Sequence, residues 1–365
     1  MNKNTQPQSA AQYKAAPQTQ QPQSKPPKRR KRIRIKPTKE SMIPLLGLLL
    51  VVALAVVLIV FIAKGIVYVV NNNQEETTTT ADNNQPPATL PWNSAYVSIE
   101  HANNQIAVGD LILVNFNHAY PYADSLNSND LRALADQEGY SSYFVLGTRD
   151  IKVRSSIISA LKDMVFALVD ANPDTLGGKA TGTDRIIITS GYRDTAKQTE
   201  LFEKNPEGYS AQPGHSEHHT GYAVDIQIFT GKSATVLLRD AEQEWMEAHC
   251  AEYGFVIRYD GSKAETTGIL DEPWHYRYVG VPHATYMTEH KLCLEEYLEI
   301  IRTSHTYDKT PLEIKAGEKD YLVYYVPATE NATFTSIPVP PASEGSYTIS
   351  GDNMNGFIVT VEKAS

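Results

Sequence analysis

The sequence predicts an α+β fold that follows a single N-terminal membrane helix and ends in a small all-β module. Three observations predict it. Between Trp92 and His305, apolar runs of four to seven residues alternate with segments whose apolar positions recur at three and four. Ahead of them Met42–Ala63 is a stretch of 22 uncharged, almost wholly aliphatic residues. After Lys309, strand-like runs are separated by Pro- and Gly/Asn-rich turns. With 365 residues, of which 41% are hydrophobic and 21% charged, the chain has apolar material for one large domain or two ordinary ones.

Residues 1–41 carry 11 Lys and Arg against the single Glu40, leaving 22 of the 33 basic and 41 of the 42 acidic residues beyond them. The net charge of −9 therefore hides a basic end and a strongly acidic body, which argues against a nucleic-acid binder, whose cationic footprint would lie on the folded part. Residues 2–32 hold no apolar side chain except Ala and Tyr13, so burial has nothing with which to offset chain entropy, and a disordered tail is expected over 1–41. As a helix the next 22 residues would reach ~33 Å, about one hydrocarbon core. A cleavable signal would have an apolar region of about 7–15 residues close to the start of the chain, so residues 42–63, or as far as 70, are expected to be an uncleaved span. The basic run from Lys28 to Lys39 abuts its N-terminal side. The positive-inside rule then leaves the tail cytoplasmic and the body outside a bacterial cell membrane. Residues 71–91, rich in Asn, Gln, Thr and Pro, read as a polar linker.

Within 92–305, Leu111–Val114 is a short strand candidate, and Val153, Ile157, Leu161, Met164, Val165 and Leu168 mark one face of a helix that stops before Pro173. Arg185–Thr189 reads as a buried strand, with a helix from about Asp194. Further strands are expected at Tyr222–Ile228, Phe255–Tyr259 and Tyr276–Val279, with helices at 236–253, capped by Gly254, and 283–303. Residues 306–365 form the β module, with strands at 321–326, 347–350 and 357–361. Two cysteines exclude a disulfide scaffold and a cysteine-rich zinc finger. Cys250 and Cys293 lie on the oxidising side of the membrane and are expected to pair.

The chemistry lies between Ser190 and Arg277. His215, Ser216, Glu217, His218, His219, Gly221 and Asp225 crowd a turn that runs into a strand, and Glu272-Pro273-Trp274-His275 precedes another. A hydrolytic zinc site needs three N/O ligands, an open position and a carboxylate able to take a proton from water. One histidine of the first cluster, Asp225 and His275 would supply the ligands, with Glu272 as base; the plainer alternative is a hydrogen-bonded polar cluster without metal.

These residues have a familiar form. Ser216-Glu217-His218-His219-Thr220-Gly221-Tyr222-Ala223-Val224-Asp225 matches S-x-H-x-x-G-x-A-x-D, and Glu272-Pro273-Trp274-His275-Tyr276-Arg277 matches E-x-W-H-x-R. With Ser190-Gly191-Tyr192-Arg193 upstream, residues 105–303 resemble the VanY-like zinc D-alanyl-D-alanine carboxypeptidases. The resemblance implies one Zn2+ per chain on His218, Asp225 and His275, with Glu272 as general base. It makes Arg193 the cation beside the scissile carbonyl oxygen, and Gln198 and Ser216 substrate-holding residues. The plainer role for Arg193 is an ion pair with Asp194 or Glu200. His219 would point the other way in an extended segment and is assigned a supporting role, and His215 lies outside the pattern.

The implied activity is removal of the C-terminal D-alanine from peptidoglycan stem peptides or lipid-linked precursors. Related activities on the same scaffold are L,D-carboxypeptidase and D,D-dipeptidase or endopeptidase. A different class, a non-catalytic zinc-stabilised module that binds wall peptides, would need neither Glu272 nor Arg193.

Overall fold

Branched residues such as Ile and Val keep their preferred rotamers on a pleated surface, and the runs 185–190, 223–229 and 255–259 all become strands. The computed structural model describes residues 96–126, 129–176, 184–205, 210–231 and 234–364, all within one compact unit. The expected tail (1–41), membrane helix (42–63) and linker (71–91) lie outside the described residues. Among those described, no helix is long and apolar enough to cross a membrane.

The chain runs β1 (Val97–Ala102), β2 (Leu131–Ala133), β3 (Phe144–Leu146), β4 (Lys152–Arg154), α1 (Ile158–Ala171), β5 (Arg185–Ser190), α2 (Thr195–Lys204) and β6 (Ala223–Phe229). There follow β7 (Thr235–Val236), α3 (Asp240–His249), β8 (Phe255–Tyr259), α4 (Ala264–Thr267), β9 (Glu272–Tyr278), α5 (Val281–His290) and α6 (Leu294–Ser304). The last strands are β10 (Leu312–Ala316), β11 (Lys319–Pro327), β12 (Phe334–Val339), β13 (Gly345–Gly351) and β14 (Gly356–Lys363). The central sheet has the order β3-β5-β6-β9-β8, with β7 on β6. Its β3–β5 pair is parallel and the rest are antiparallel.

Alternation along the strands sorts the side chains by face. Ile186, Ile188, Val224, Ile226 and Ile228 pack with Ile158, Leu161, Val165 and Leu168 of α1, and Asp225 lies between two of these core positions. The helix begins at Ile158, after a 3-10 turn, so Val153 belongs to β4 instead. Likewise α3 spans only 240–249; a 3-10 turn over Cys250–Tyr253 follows, ended by Gly254 at φ 80°.

Leu111–Val114, expected as a strand, is buried but irregular. Its backbone groups find partners elsewhere: Leu111 N–H donates to Ser350 Oγ, Leu113 N–H to the Asp352 carbonyl, and Arg277 donates to the Ile112 carbonyl. The expected disulfide is not formed, and Cys250 and Cys293 are both free and buried. Cys250 packs in the α1 core, whereas Cys293 caps α6, its side chain accepting the N3 backbone N–H while Glu296 accepts its own N–H.

Residues 306–364 build a sheet of order β10-β11-β14-β13, while β12 pairs with β1, Val97 opposite Val339 and Ala102 opposite Phe334. Leu312, Ile314, Tyr321, Val323, Tyr325 and Ile358 share one core with Ala284, Met287, Leu294, Leu298 and Ile301 of α5 and α6. The C-terminal strands are thus packed into the same body as the helices before them. At the β13–β14 turn Asn353 Nδ2 donates to the carbonyls of Leu113 and Ala119, which fixes the loop lying behind Gly214 and His215.

Candidate active site

β5 delivers Ser190 to a loop that enters α2, where Asp194 Oδ1 accepts the Lys197 N–H at 2.7 Å as an N-cap. A Cβ at Gly191 would lie 2.4 Å from the Lys152 carbonyl, so only glycine lets this backbone come close; its own carbonyl meets His218 Nδ1 at 2.7 Å. Glu217–Thr220 form a 3-10 turn closed by Gly221 at φ 74°. The segment is therefore not extended as expected, and the turn rather than strand alternation separates the adjacent histidines. His218 faces Asp225, while the His219 ring spans the Arg193 carbonyl, 2.7 Å from Nδ1, and the Gly214 N–H, 3.0 Å from Nε2. His215 is turned to the Asn115 carbonyl at 2.8 Å.

Asp225 and His275 are direct partners in the β6–β9 ladder. Asp225 Oδ1 lies 3.3 Å from both His218 Nε2 and His275 Nδ1, and one ligand atom from each residue falls within 4.8 Å of the others. His218 Nε2 and Asp225 Oδ1 are buried without a hydrogen-bond partner. The other ring nitrogens are engaged, His218 Nδ1 by the Gly191 carbonyl and His275 Nε2 by Glu217 Oε2 at 3.3 Å. A neutral ring whose N–H is held this way presents its second nitrogen as a lone pair, the arrangement metal-binding histidines need. Burial lowers the His275 pKa, but the facing carboxylates of Asp225 and Glu217 outweigh it and raise it to about 9. Donor types, spacing and charge all fit a divalent metal with N/O ligands.

Glu272 Oε2 stands 3.7 Å from His275 Nδ1, brought there by a register shift in the β8–β9 ladder between Ile257 and Tyr259. Burial pushes its carboxyl up to about 7, with Asp225 and Glu217 adding to the rise and His275 and Arg193 opposing it. Arg193 is mostly buried, and its Nη2 lies 3.8 Å from Asp225 Oδ2. It is not paired with Asp194, which caps α2, or with Glu200, which takes Lys197 and Lys204. Arg193 Nη1 donates to Gln198 Oε1 at 2.8 Å, and Gln198 Nε2 donates to Ser210 Oγ at 3.0 Å and the Ala211 carbonyl at 2.7 Å. The Gln198 amide, expected to hold substrate, links Arg193 to the 210–211 loop. Ser216 is buried and lines a cavity of about 40 Å³ with Arg193, Gln198, His218, Glu272 and His275. A cleft of about 720 Å³ opens beside Arg193, Asp225, Glu272 and Trp274.

Sequence reasoning assigned no role to the groups beneath His275. Glu217 Oε1 accepts from Arg258 Nε and Arg277 Nη1, each at 2.8 Å, and Arg258 also makes a bidentate pair with Glu295 at 2.9 and 2.7 Å. Burial alone would raise the Glu217 pKa, but the two guanidiniums hold it well below the usual carboxylate range. A usable signal was present: Arg258 sits inside a strand otherwise made of apolar and aromatic residues, where a charge requires a partner.

The profile of the VanY family, described as D-alanyl-D-alanine carboxypeptidase, matches residues 150–281. A D-alanyl-D-alanine carboxypeptidase of Enterococcus faecium is 34% identical over 257 residues, 70% of this chain and 76% of the relative. The bifunctional D-Ala-D-Ala dipeptidase and D-Ala-D-Ala carboxypeptidase VanXYC of Enterococcus gallinarum is 38% identical over 132 residues, covering 33% of this chain and 70% of that one. Among solved structures, the vancomycin resistance D,D-dipeptidase VanXYg in complex with a D-Ala-D-Ala phosphinate analog aligns with a TM-score of 0.60 at 29% identity. It covers 74% of this chain and 100% of its own.

Proposed function

Since the chain belongs to the VanY family of D-alanyl-D-alanine carboxypeptidases, we propose that it is a zinc-dependent peptidase that removes the terminal D-alanine from peptidoglycan stem peptides or their lipid-linked precursors. The observation that carries this reading is the joint presence, around one buried point, of three metal-ligand atoms, a carboxylate base and a fixed guanidinium. His218, Asp225 and His275 hold the ion, which when bound supplies Lewis acidity toward the scissile carbonyl and a water molecule. Glu272 accepts a proton from the attacking water on its carboxylate and passes it to the departing amine. Arg193, held in place by Gln198, stabilises the negative charge that develops on the carbonyl oxygen, and partial burial strengthens that interaction. A binding module would have no use for either group.

The apolar length of residues 42–63 and the basic residues ahead of them support anchoring in a bacterial membrane, with the catalytic residues outside, where such peptides lie. D,D-dipeptidase activity is a second reading, favoured by the likeness to VanXYC and VanXYg. Mass spectrometry of a D-Ala-D-Ala-terminated pentapeptide, a tetrapeptide stem and the D-Ala-D-Ala dipeptide after incubation with the full chain separates these activities. Chelator-sensitive loss of one D-alanine from the pentapeptide is expected. Cleavage of the dipeptide alone would select the second reading, and no cleavage of any of the three would reject both.

A further inference from the structure

We propose that Glu217 is a positioning residue for the metal centre, fixing His275 through Nε2 while Arg258 and Arg277 clamp its other oxygen. The inference rests on His218, Asp225 and His275 being the metal ligands. Glu217 is the first residue of the turn that carries His218, and its side chain reaches beneath His275 on β9. It thus ties the two ligand-bearing elements together. Its side chain is fully buried and the carboxylate divides its work by atom: Oε2 faces His275 Nε2 at 3.3 Å, and Oε1 takes both guanidiniums at 2.8 Å. Arg277 lies two residues from His275 on the same face of β9, and Arg258 comes from the adjoining β8.

The cluster is balanced, since Glu217 and Glu295 offset Arg258 and Arg277. Each charge is hydrogen-bonded, as buried charges must be. Glu295 lies in the first turn of α6, where negative charge is favoured, and also accepts from Asn115 Nδ2 at 3.0 Å. Arg277 Nη2 further donates to the carbonyls of Asp110 and Ile112. The carboxylate under His275 therefore cannot rotate away without breaking one hydrogen bond from each of two buried guanidiniums. A carboxylate accepting the outer N–H of a ligand histidine fixes its tautomer and orientation and raises its basicity toward a metal.

The test uses the full chain in two measurements. The first is the zinc dissociation constant, by competition with a chromogenic chelator, for the parent and for Glu217→Gln, which preserves shape while removing the charge. Affinity about 10–100-fold weaker is expected, with zinc content restored at high zinc. The second is the ring ¹⁵N correlation spectrum of the zinc-loaded parent, which does not depend on a variant folding; a proton on His275 Nε2 is expected. A folded Glu217→Gln protein with lower thermal stability but parental zinc affinity would reduce Glu217 to a structural ion pair and overturn the proposal. So would a His275 proton on Nδ1. A parent that binds no zinc would instead overturn the assignment of the ligands.

Discussion

Replacing Gln198 by Leu separates two roles for this side chain, contact with substrate and placement of Arg193. Gln198 is 1% exposed and makes three hydrogen bonds, to Arg193 Nη1, Ser210 Oγ and the Ala211 carbonyl. Leucine fills similar space but leaves those partly buried partners without these hydrogen bonds. A hydrogen bond to a charged group contributes roughly 1.5–3 kcal/mol and a neutral one about 1 kcal/mol, so the loss should be about 3 kcal/mol after partial relaxation. For a unit spanning residues 85–365 that corresponds to a thermal midpoint lower by about 5 °C. Arg193 would retain only the longer contact to Asp225 at 3.8 Å. Turnover should then drop toward the level of an Arg193→Ala variant, itself about 10²–10³-fold below the parent, with a smaller change in KM. Thermal unfolding and steady-state D-alanine release measure both quantities. An unchanged midpoint together with a rise confined to KM would refute placement and restore the direct substrate contact expected from sequence.

Two further outcomes follow from the site and the core. His218→Ala and His275→Ala should lose bound zinc, whereas His219→Ala should keep it and lose stability, because its ring bridges the Arg193 carbonyl and the Gly214 N–H; elemental analysis of the three proteins checks this. Alkylation under denaturing, non-reducing conditions should label both Cys250 and Cys293, and a mass showing neither labelled would contradict the packing around them.

The candidate metal cluster and the proposed base were legible because their chemistry is local: His218 and Asp225 lie on one turn-strand segment, and Glu272 and His275 on one strand. The major strands were legible because their buried residues recur either in apolar runs or at alternate positions. Leu111–Val114 shows the limit of that signal, since four apolar residues state that a segment is buried but not which groups satisfy its backbone. β1 escaped notice for a related reason: its partner β12 lies more than 200 residues away, and its outward positions are polar or exposed. Spacing also could not separate a substrate contact from a placing residue at Gln198, because the acceptors of its amide lie in an irregular loop beyond the end of its helix. The ion cluster beneath His275 joins four chain segments, and only the isolated charge within β8 hinted at it.

The central claim is that Glu272 moves the proton in a metal-assisted hydrolysis, and the most direct measurement is D-alanine release by Glu272→Ala alongside its zinc content. A folded protein with parental zinc is expected, with turnover of a D-Ala-D-Ala-terminated peptide lower by roughly 10²–10⁴-fold. D-Alanine release comparable to the parent, with zinc still bound, would contradict it.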